Sequence, residues 1–212
     1  ILARALIRDF PEHYKVYKEK YFSYNDIRQA NRNSLLWRDD AVDGMKTGHT
    51  QAAGFCLVAS AEKKDMRLVS VVMGATSERA RSTESQKLIN YGFRYFESVK
   101  LYDGLESLRR VKVWGGLHES LDVGIEAPAR LTIPTGARGA LAAEVTLDPV
   151  IKAPVSQGQT LGLLRISLEG ETLLERPVVA LNGVDEAGLV SSLIDEVSLF
   201  FLSLFSGDPL AL

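Results

Sequence analysis

Lys46, Thr47 and Gly48 are the residues of this sequence whose types and spacing are best suited to chemistry. They follow the turn signal Asp43-Gly44 and precede an apolar run at residues 52–60, so we predict that they open a β-strand lining a site. Lys46 would place an ammonium group there, and Thr47 a hydroxyl able to bind a carboxylate. Because Gly48 has no side chain, a substrate backbone could approach closely. The amides after it could donate to a developing oxyanion.

A nucleophile suited to such a site is harder to find. Ser60-Ala61-Glu62-Lys63 fits the pattern Ser-x-x-Lys, and Ser23-Tyr24-Asn25 fits Ser-x-Asn. A serine nucleophile with a lysine partner needs the start of a buried helix, where the lysine lies one turn away. We interpret both matches as turns and reject them. The three histidines, His13, His49 and His118, have no context of a Ser-His-Asp triad.

Composition narrows the classes of function. The chain has 212 residues, of which 46% are hydrophobic and 25% charged, as in soluble globular proteins of one or two domains. A net charge of -2 and a pI near 6.0 give no indication of a nucleic-acid partner. The single cysteine, Cys56, lies in an apolar run and is predicted to be a buried small hydrophobe. We find no metal-ligand spacing and predict no metal and no cofactor.

The elements that must position Lys46 are predicted from hydrophobic periodicity. Residues 1–10 indicate a helix that Pro11 ends, and the aromatic-rich residues 14–22 indicate a strand. Leu35-Leu36-Trp37 predicts an apolar plug before the site. Two apolar runs, 54–60 and 66–74, predict an antiparallel hairpin whose two faces are both covered.

A helix is predicted from Ser77 onward, with Ser77 as its cap and Glu78 in its first turn. Its apolar and aromatic residues are interpreted as core rather than ligand-binding; they are Leu88, Ile89, Tyr91, Phe93, Tyr95 and Phe96. From residue 108 to 184 the pattern changes to short alternating segments punctuated by Gly and Pro. This change predicts a separate small all-β domain.

The last informative stretch is residues 188–206, which has an amphipathic pattern at 100° per residue. One half of the helical wheel carries Leu189, Val190, Leu193, Ile194, Val197, Phe200, Phe201, Leu204 and Phe205. The other half is polar and includes Asp195 and Glu196, with only Leu199 and Leu202 as apolar exceptions. The stretch is too short and too polar to span a bilayer, so we predict a helix lying in a membrane interface. A helix packed on its own domain is the alternative.

Taken together, several runs of the chain resemble the low-molecular-mass penicillin-binding proteins of the D-alanyl-D-alanine carboxypeptidase family. These runs are Asn31–Trp37, Val42–Thr50, Gly54–Ala61, Met66–Ser70, Glu84–Leu88, Leu131–Pro134 and Arg176–Val179. The resemblance implies an α+β fold: residues 1–98 as the carboxyl-terminal part of a serine transpeptidase-like (β-lactamase-like) domain, 99–184 as a small β-rich domain, and 185–212 as an amphipathic membrane-anchor helix and tail.

The resemblance also implies an acyl-transfer reaction on peptidoglycan stem pentapeptides, with β-lactam antibiotics as covalent inhibitors. Lys46 would supply positive charge and help proton transfer, while Thr47 would bind the terminal carboxylate beside Gly48. The backbone N–H of His49 would complete the oxyanion hole, with its imidazole close by. Arg32 and Arg81 match the family by position and would steer or fix the substrate carboxylate.

In this family the Ser-x-x-Lys and Ser-x-Asn motifs precede Lys-Thr-Gly, and the sequence before Lys46 contains neither in a suitable context. We therefore predict that this chain alone forms no acyl-enzyme. The resemblance places the protein at the periplasmic face of the bacterial inner membrane, attached peripherally through its terminal helix. Two alternatives remain open: a non-catalytic chain that binds wall or membrane, and a β-lactamase, against which the β-rich domain and terminal helix argue.

Overall fold

The computed structural model of the protein describes residues 1–188. These residues form two compact units. The first comprises residues 1–98 together with 132–135, and the second comprises residues 99–131 together with the described residues from 136 onward. The residues predicted to carry the chemistry all belong to the first unit.

The first unit combines short helices, a hairpin and a three-stranded sheet. Its elements are α1 (Leu2–Asp9), α2 (Pro11–Tyr14), a 3-10 helix (Lys15–Lys18), β1 (Tyr21–Tyr24), β2 (Ile27–Ala30), a second 3-10 helix (Ser34–Trp37), β3 (Val42–Thr50), β4 (Gly54–Lys63), β5 (Met66–Ala75) and α3 (Glu78–Tyr95). The strands β1 and β2 pair as a separate hairpin. The strands β3, β4 and β5 form an antiparallel sheet in that order, so β4 is central.

The core of this unit lies between the sheet and α3. Its buried members are Leu35, Leu36, Val42, Leu57, Ala59, Ala61 and Ile89. The expected apolar plug is therefore present, although only its first two residues are buried and Trp37 is half-exposed. The plug fills the space directly before β3 and thus supports the strand that carries Lys46.

The helix α3 begins as predicted, because the Ser77 side chain accepts a hydrogen bond from the Ala80 amide. Its buried face agrees only in part with the expected one. Ile89 is buried in the core and Phe93 packs against it, as predicted, but Leu88, Tyr91 and Tyr95 are about half-exposed. The rest of the buried stripe consists of Arg81, Ser82, Ser85 and Gly92. A Cβ on Gly92 would lie 2.5 Å from Leu68 Cδ1, so at this position α3 packs too closely on β5 for a side chain.

The strand predicted for residues 14–22 is corrected in part. Residues 14–18 are helical rather than extended, and the strand begins only at Tyr21. The i, i+3 spacing of Tyr14 and Tyr17, whose ring centroids lie 5.6 Å apart, fits a helical turn better than an alternating strand. The predicted helix of residues 1–10 is confirmed as α1, which ends at Asp9 before Pro11, and Pro11 then begins the short helix α2.

The predicted covering of both faces of the β4–β5 hairpin is confirmed only in part for the described residues. The helix α3 covers one face; on the other face Ser60 is buried, but Val71 and Met73 on β5 are 57% and 74% exposed. Cys56 is half-buried rather than buried, with its Sγ near the carbonyl of Ala53. An apolar run thus indicated the strands correctly but not how many layers cover them.

The second unit is built almost entirely of strands. They are β6 (Phe96–Tyr102), β7 (Ser107–Lys112), β8 (Ser120–Gly124), β9 (Ala129–Pro134), β10 (Leu141–Leu147), β11 (Thr160–Leu168) and β12 (Glu171–Ala180), with a 3-10 helix at Ala137–Ala140; the ends of β6 and β9 belong to the first unit. Five strands form an antiparallel sheet in the order β10-β11-β12-β8-β7, and β6 pairs with β9.

The α+β fold class predicted from the sequence is confirmed. The predicted anchor helix lies outside the described residues, because the description ends at Gly188. Within residues 1–188, no helix is long and apolar enough to cross a membrane.

Candidate active site

The predicted site residues lie at the end of β3, an edge strand of the three-stranded sheet. Along β3, Met45 is buried, Thr47 is half-buried, and Lys46, Gly48 and His49 are exposed. The Lys46 ammonium group donates to the backbone carbonyl of Thr47. In the described part of the chain only β4 pairs with this strand, so the outer edge of β3 is open. Lys-Thr-Gly therefore presents a cation and a hydroxyl on an edge strand, while the Thr47 and Gly48 carbonyls accept hydrogen bonds from Lys46 and Arg81.

The buried side chain of Arg81 binds the backbone of this strand. Its side chain is only 2% exposed, and its Nη1 donates to the backbone carbonyl of Gly48 at 3.2 Å. Its Nη2 lies 3.5 Å from the carbonyl of Arg32 and 3.3 Å from a carboxylate oxygen of Glu78. Its Nε is buried without a hydrogen-bond partner among the described residues. A permanently charged fork thus joins helix α3 to the backbone of Gly48 and Arg32.

The loop before β3 is fixed by Asn33 rather than by Arg32. The buried amide of Asn33 donates to the Gly44 carbonyl at 2.9 Å, and its oxygen accepts from the Leu35 amide. Arg32 is exposed, and its side chain makes no hydrogen bond or ion pair with any residue from 1 to 188 that the structure shows. The guanidinium of Arg32 is therefore available to an incoming anion.

His49 stacks on Phe55, with ring centroids 4.0 Å apart. The Arg81 guanidinium lies 5.7 Å from the centre of the Phe55 ring. Phe55 pairs with His49 across β3 and β4, so the imidazole is held over the central strand while its backbone amide follows Gly48 along β3. The structure therefore brings Lys46, Thr47, Gly48, His49, Arg32 and Arg81 to the same strand end; their roles toward a substrate stay predictions.

A cluster of hydrogen-bonded side chains near the site was missed by sequence reasoning. Tyr14 Oη donates to Asp43 Oδ1 at 2.9 Å, and Arg67 Nη1 donates to both oxygens of Asp43 at 2.9 and 2.7 Å. The same Nη1 donates to Ser60 Oγ at 2.7 Å, and Arg67 also pairs with Glu62. Burial is the main cause that raises the pKa of Tyr14 above its ordinary value. Burial opposes the charge of Arg67, but the hydrogen bond and charge of Asp43 raise its pKa.

Neither formal serine match is placed to act as a nucleophile, as expected. The reason given for Ser60 needs correction, because it lies in strand β4 and is fully buried rather than in an exposed turn. Its Oγ accepts a hydrogen bond from Arg67 Nη1. Ser23 lies on the exposed β1–β2 hairpin and faces Arg28 in the strand pairing. Residues 1–188 also contain no group of three His, Cys, Asp or Glu side chains that could hold a metal ion.

The predicted membrane-facing residues Leu189, Leu193, Val197, Phe200, Phe201, Leu204 and Phe205 all lie outside the described residues.

An antiparallel sheet backed by a helix, with Lys-Thr-Gly on an open edge strand, defines the class of penicillin-interacting serine enzymes. Comparison with known families narrows the class. Residues 1–77 match the model of D-alanyl-D-alanine carboxypeptidase, and residues 96–186 match that of the penicillin-binding protein 5, C-terminal domain. The chain belongs to the family of penicillin-binding D-alanyl-D-alanine carboxypeptidases.

Individual proteins agree with this assignment. The chain is 42% identical to D-alanyl-D-alanine carboxypeptidase DacC of Escherichia coli over 95% of this chain and 51% of that protein. It is 41% identical to DacA of Haemophilus influenzae over 97% of this chain and 53% of that protein. Penicillin-binding protein 5 from Haemophilus influenzae has a similar structure, with a TM-score of 0.79 at 40% identity, covering 87% of this chain and 54% of that one. The chain therefore spans about half the length of the relatives it matches.

Proposed function

We propose that this chain is the Lys-Thr-Gly-bearing part of a D-alanyl-D-alanine carboxypeptidase, which removes the terminal D-alanine from peptidoglycan stem peptides and is inhibited by penicillin. The observation that carries the proposal is the position of Lys46, Thr47 and Gly48 on an open edge strand, with the Gly48 carbonyl held by a buried arginine. The names of the relatives support the same activity.

In the proposed reaction, a serine oxygen supplied by a segment other than residues 1–188 attacks the carbonyl of the penultimate D-alanine. The peptide C–N bond breaks, terminal D-alanine leaves as an amine that has gained a proton, and water then hydrolyses the ester. The exposed Lys46 ammonium supplies positive charge beside the reacting groups and assists proton transfer. The backbone N–H of His49 donates to the developing oxyanion.

Recognition of the free carboxylate of the substrate is proposed for Thr47 and Arg32. Thr47 is half-buried at the strand edge, and the Arg32 guanidinium is exposed beside the loop that enters β3. The contacts of Arg81 point to a different contribution: its donors are engaged with two backbone carbonyls and Glu78, so it holds the strand on which the substrate would lie. A direct contact between Arg81 and the substrate stays a prediction.

Attachment to the periplasmic face of the inner membrane is a separate proposal. It is supported by the amphipathic pattern of residues 188–206, which carries its apolar residues on one half of a helical wheel. The stem pentapeptide and β-lactams are the proposed partners of the catalytic part. The match of residues 96–186 to a penicillin-binding protein domain favours a carboxypeptidase over a β-lactamase.

Labelled benzylpenicillin tests the proposed function. The protein expressed from its full coding sequence should take up one equivalent of penicillin and release D-alanine from a D-Ala-D-Ala peptide. This 212-residue chain alone should take up none, because its serines lack the required context. If mass spectrometry finds a stoichiometric adduct on a serine of this chain, the assignment of the nucleophile is wrong. If the full-length protein neither binds penicillin nor releases D-alanine, a non-catalytic wall-binding role replaces the proposal.

A further inference from the structure

The beginning of β3 is held by a cluster that the proposed reaction does not use, which we name the Asp43 anchor: Tyr14, Asp43, Ser60 and Arg67. These residues come from α2, β3, β4 and β5 respectively. Arg67 belongs to β5 and reaches Asp43 on β3 across the central strand, with Ser60 of β4 bound on the way. A single guanidinium therefore connects all three strands of the sheet, and Tyr14 connects the preceding helix to the same carboxylate.

The anchor lies where the pairing of β3 changes register. Val42 pairs with Ala61 and Gly44 pairs with Ser60, so Asp43 is an extra residue on β3, as in a β-bulge. After this point Met45 is buried and Lys46 is exposed. Because side chains alternate between the two faces of a strand, a slip of one residue would turn Lys46 inward and Met45 outward. The exposure of the lysine thus depends on where the extra residue is fixed.

Gly44, directly after Asp43, is confined on two sides. A Cβ at this position would lie 2.4 Å from Tyr14 Oη, so the chain passes the tyrosine in a way that only glycine permits. On the other side its carbonyl accepts the buried amide of Asn33 at 2.9 Å. The register of β3 is therefore set by side chains rather than by strand pairing alone.

The charges of the anchor suit this task. Asp43 and Arg67 are each mostly buried, with side-chain exposures of 18% and 25%, and they are in contact at 2.7 Å. A charged pair that also receives a phenol and a hydroxyl has few unsatisfied groups, which is the arrangement in which a buried pair fixes one geometry. The raised pKa of Arg67 keeps the guanidinium charged at every pH at which the protein would work.

We propose that Asp43 is a positioning residue: through Arg67 and Tyr14 it fixes the bulge at the start of β3 and so keeps Lys46 on the exposed face. This inference rests on the proposed function only for the part that Lys46 plays in the reaction. The register itself is a property of this chain and can be measured without any activity.

Hydrogen–deuterium exchange on the 212-residue chain is the first test. In Asp43→Ala, amides of residues 45–49 should exchange about tenfold faster, since several charged hydrogen bonds are lost, while those of α3 should change less than about twofold. Asp43→Asn keeps one acceptor oxygen but loses the charge and the second acceptor, so it should restore only part of the protection. The matched control is Asp122→Ala in the second unit, where Asp122 likewise accepts from Arg110 and from the hydroxyl of Ser107. Unchanged exchange in β3, or equal acceleration throughout the first unit, overturns the proposal.

Penicillin acylation of the full-length protein is the second test. Asp43→Ala should lower the second-order acylation rate about tenfold or more, Asp43→Asn should recover only part of that loss, and Asp122→Ala should leave the rate within about twofold. If Asp43→Ala does not fold, Tyr14→Phe removes one bond of the anchor and should show smaller changes in the same two measurements. Failure of the unaltered full-length protein to react refutes the proposed function and leaves the exchange test valid. Normal acylation in Asp43→Ala overturns the positioning role.

Discussion

Arg81 is the most buried charged side chain among residues 1–188, and replacing it tests how much its contacts stabilise the first unit. The side chain is 2% exposed and donates toward Gly48, Glu78 and Arg32 over distances of 3.2, 3.3 and 3.5 Å. These distances exceed the usual length of charge-assisted bonds, so the bond to Gly48 is assigned about 1.5 kcal/mol, the lower end of the range. Glu78 is mostly exposed and adds at most about 0.5 kcal/mol. Loss of two buried methylenes adds about 1.5 kcal/mol. Arg81→Ala should therefore destabilise the first unit by about 3 kcal/mol.

Urea unfolding measures this loss. With a slope of about 2 kcal/mol per molar urea, the midpoint of the first unit should fall by about 1.5 M. Trp37 lies in the first unit and Trp114 in the second. The fluorescence transition that disappears in a Trp37→Phe background therefore identifies the first unit. Arg81→Lys keeps the charge but loses the fork, and should show an intermediate loss. Arg110→Ala breaks an exposed ion pair in the second unit and serves as the control, with no expected change in the midpoint of the first unit.

In the full-length protein, Arg81→Ala also distinguishes two roles of Arg81, namely holding the backbone of β3 and contacting the substrate. Because the Arg81 guanidinium holds the backbone of Gly48, Arg81→Ala should lower the cleavage rates of a free-acid peptide and of its C-terminal amide by similar factors. The family resemblance predicts instead that the acid suffers most, and a loss confined to the acid would show direct contact with the substrate. If Arg81→Ala shifts the urea midpoint of the first unit no more than the Arg110→Ala control does, the structural reasoning is refuted.

The remaining predictions concern the strand, the anchor and the terminal stretch. Thr47→Val in the full-length enzyme should cost about 1.5–3 kcal/mol in kcat/KM on a free-acid peptide and little on its amide; equal losses would contradict carboxylate binding. The raised pKa of Tyr14 means that only the unfolded state ionises just above pH 10, so stability is present below that pH and falls as pH rises. In thermal melts from pH 8 to 11, Tyr14→Phe should lose less stability than the unaltered chain; parallel losses would exclude Tyr14 as the cause. Vesicle binding should survive high salt, because the terminal stretch has no Lys or Arg, and should disappear in Phe200→Ser/Phe201→Ser/Phe205→Ser; co-sedimentation abolished by salt would contradict this.

Sequence reasoning succeeded where local pattern and structure coincide. The apolar run after Gly54 predicted the strand β4, and Ser77 marked the start of α3. The turn predicted at Asp43-Gly44 is wrong, because both residues lie within β3, where Asp43 is the extra residue of a bulge. Sequence reasoning also failed where the distance between packed elements decides which residues are buried. The face of α3 against the sheet carries Arg81, two serines and Gly92 beside Ile89, and at Gly92 the helix lies close to Leu68. The hydrophobic pattern found Ile89 but also pointed to Tyr91 and Tyr95, which are half-exposed.

The site shows the same division between chemistry and support. Lys46, Thr47 and Gly48 are adjacent in sequence, so a motif contains them. Their support comes from side chains 24, 29 and 33 positions away from the residues they hold, in the pairs Arg67–Asp43, Tyr14–Asp43 and Arg81–Gly48. Hydrogen bonds over such separations leave no periodicity in a sequence, since each partner can be any charged or polar residue that the fold brings near. A protein of this family can thus display the reacting motif intact while its reactivity depends on residues that no motif contains, and the Asp43 and Arg81 variants measure that dependence directly.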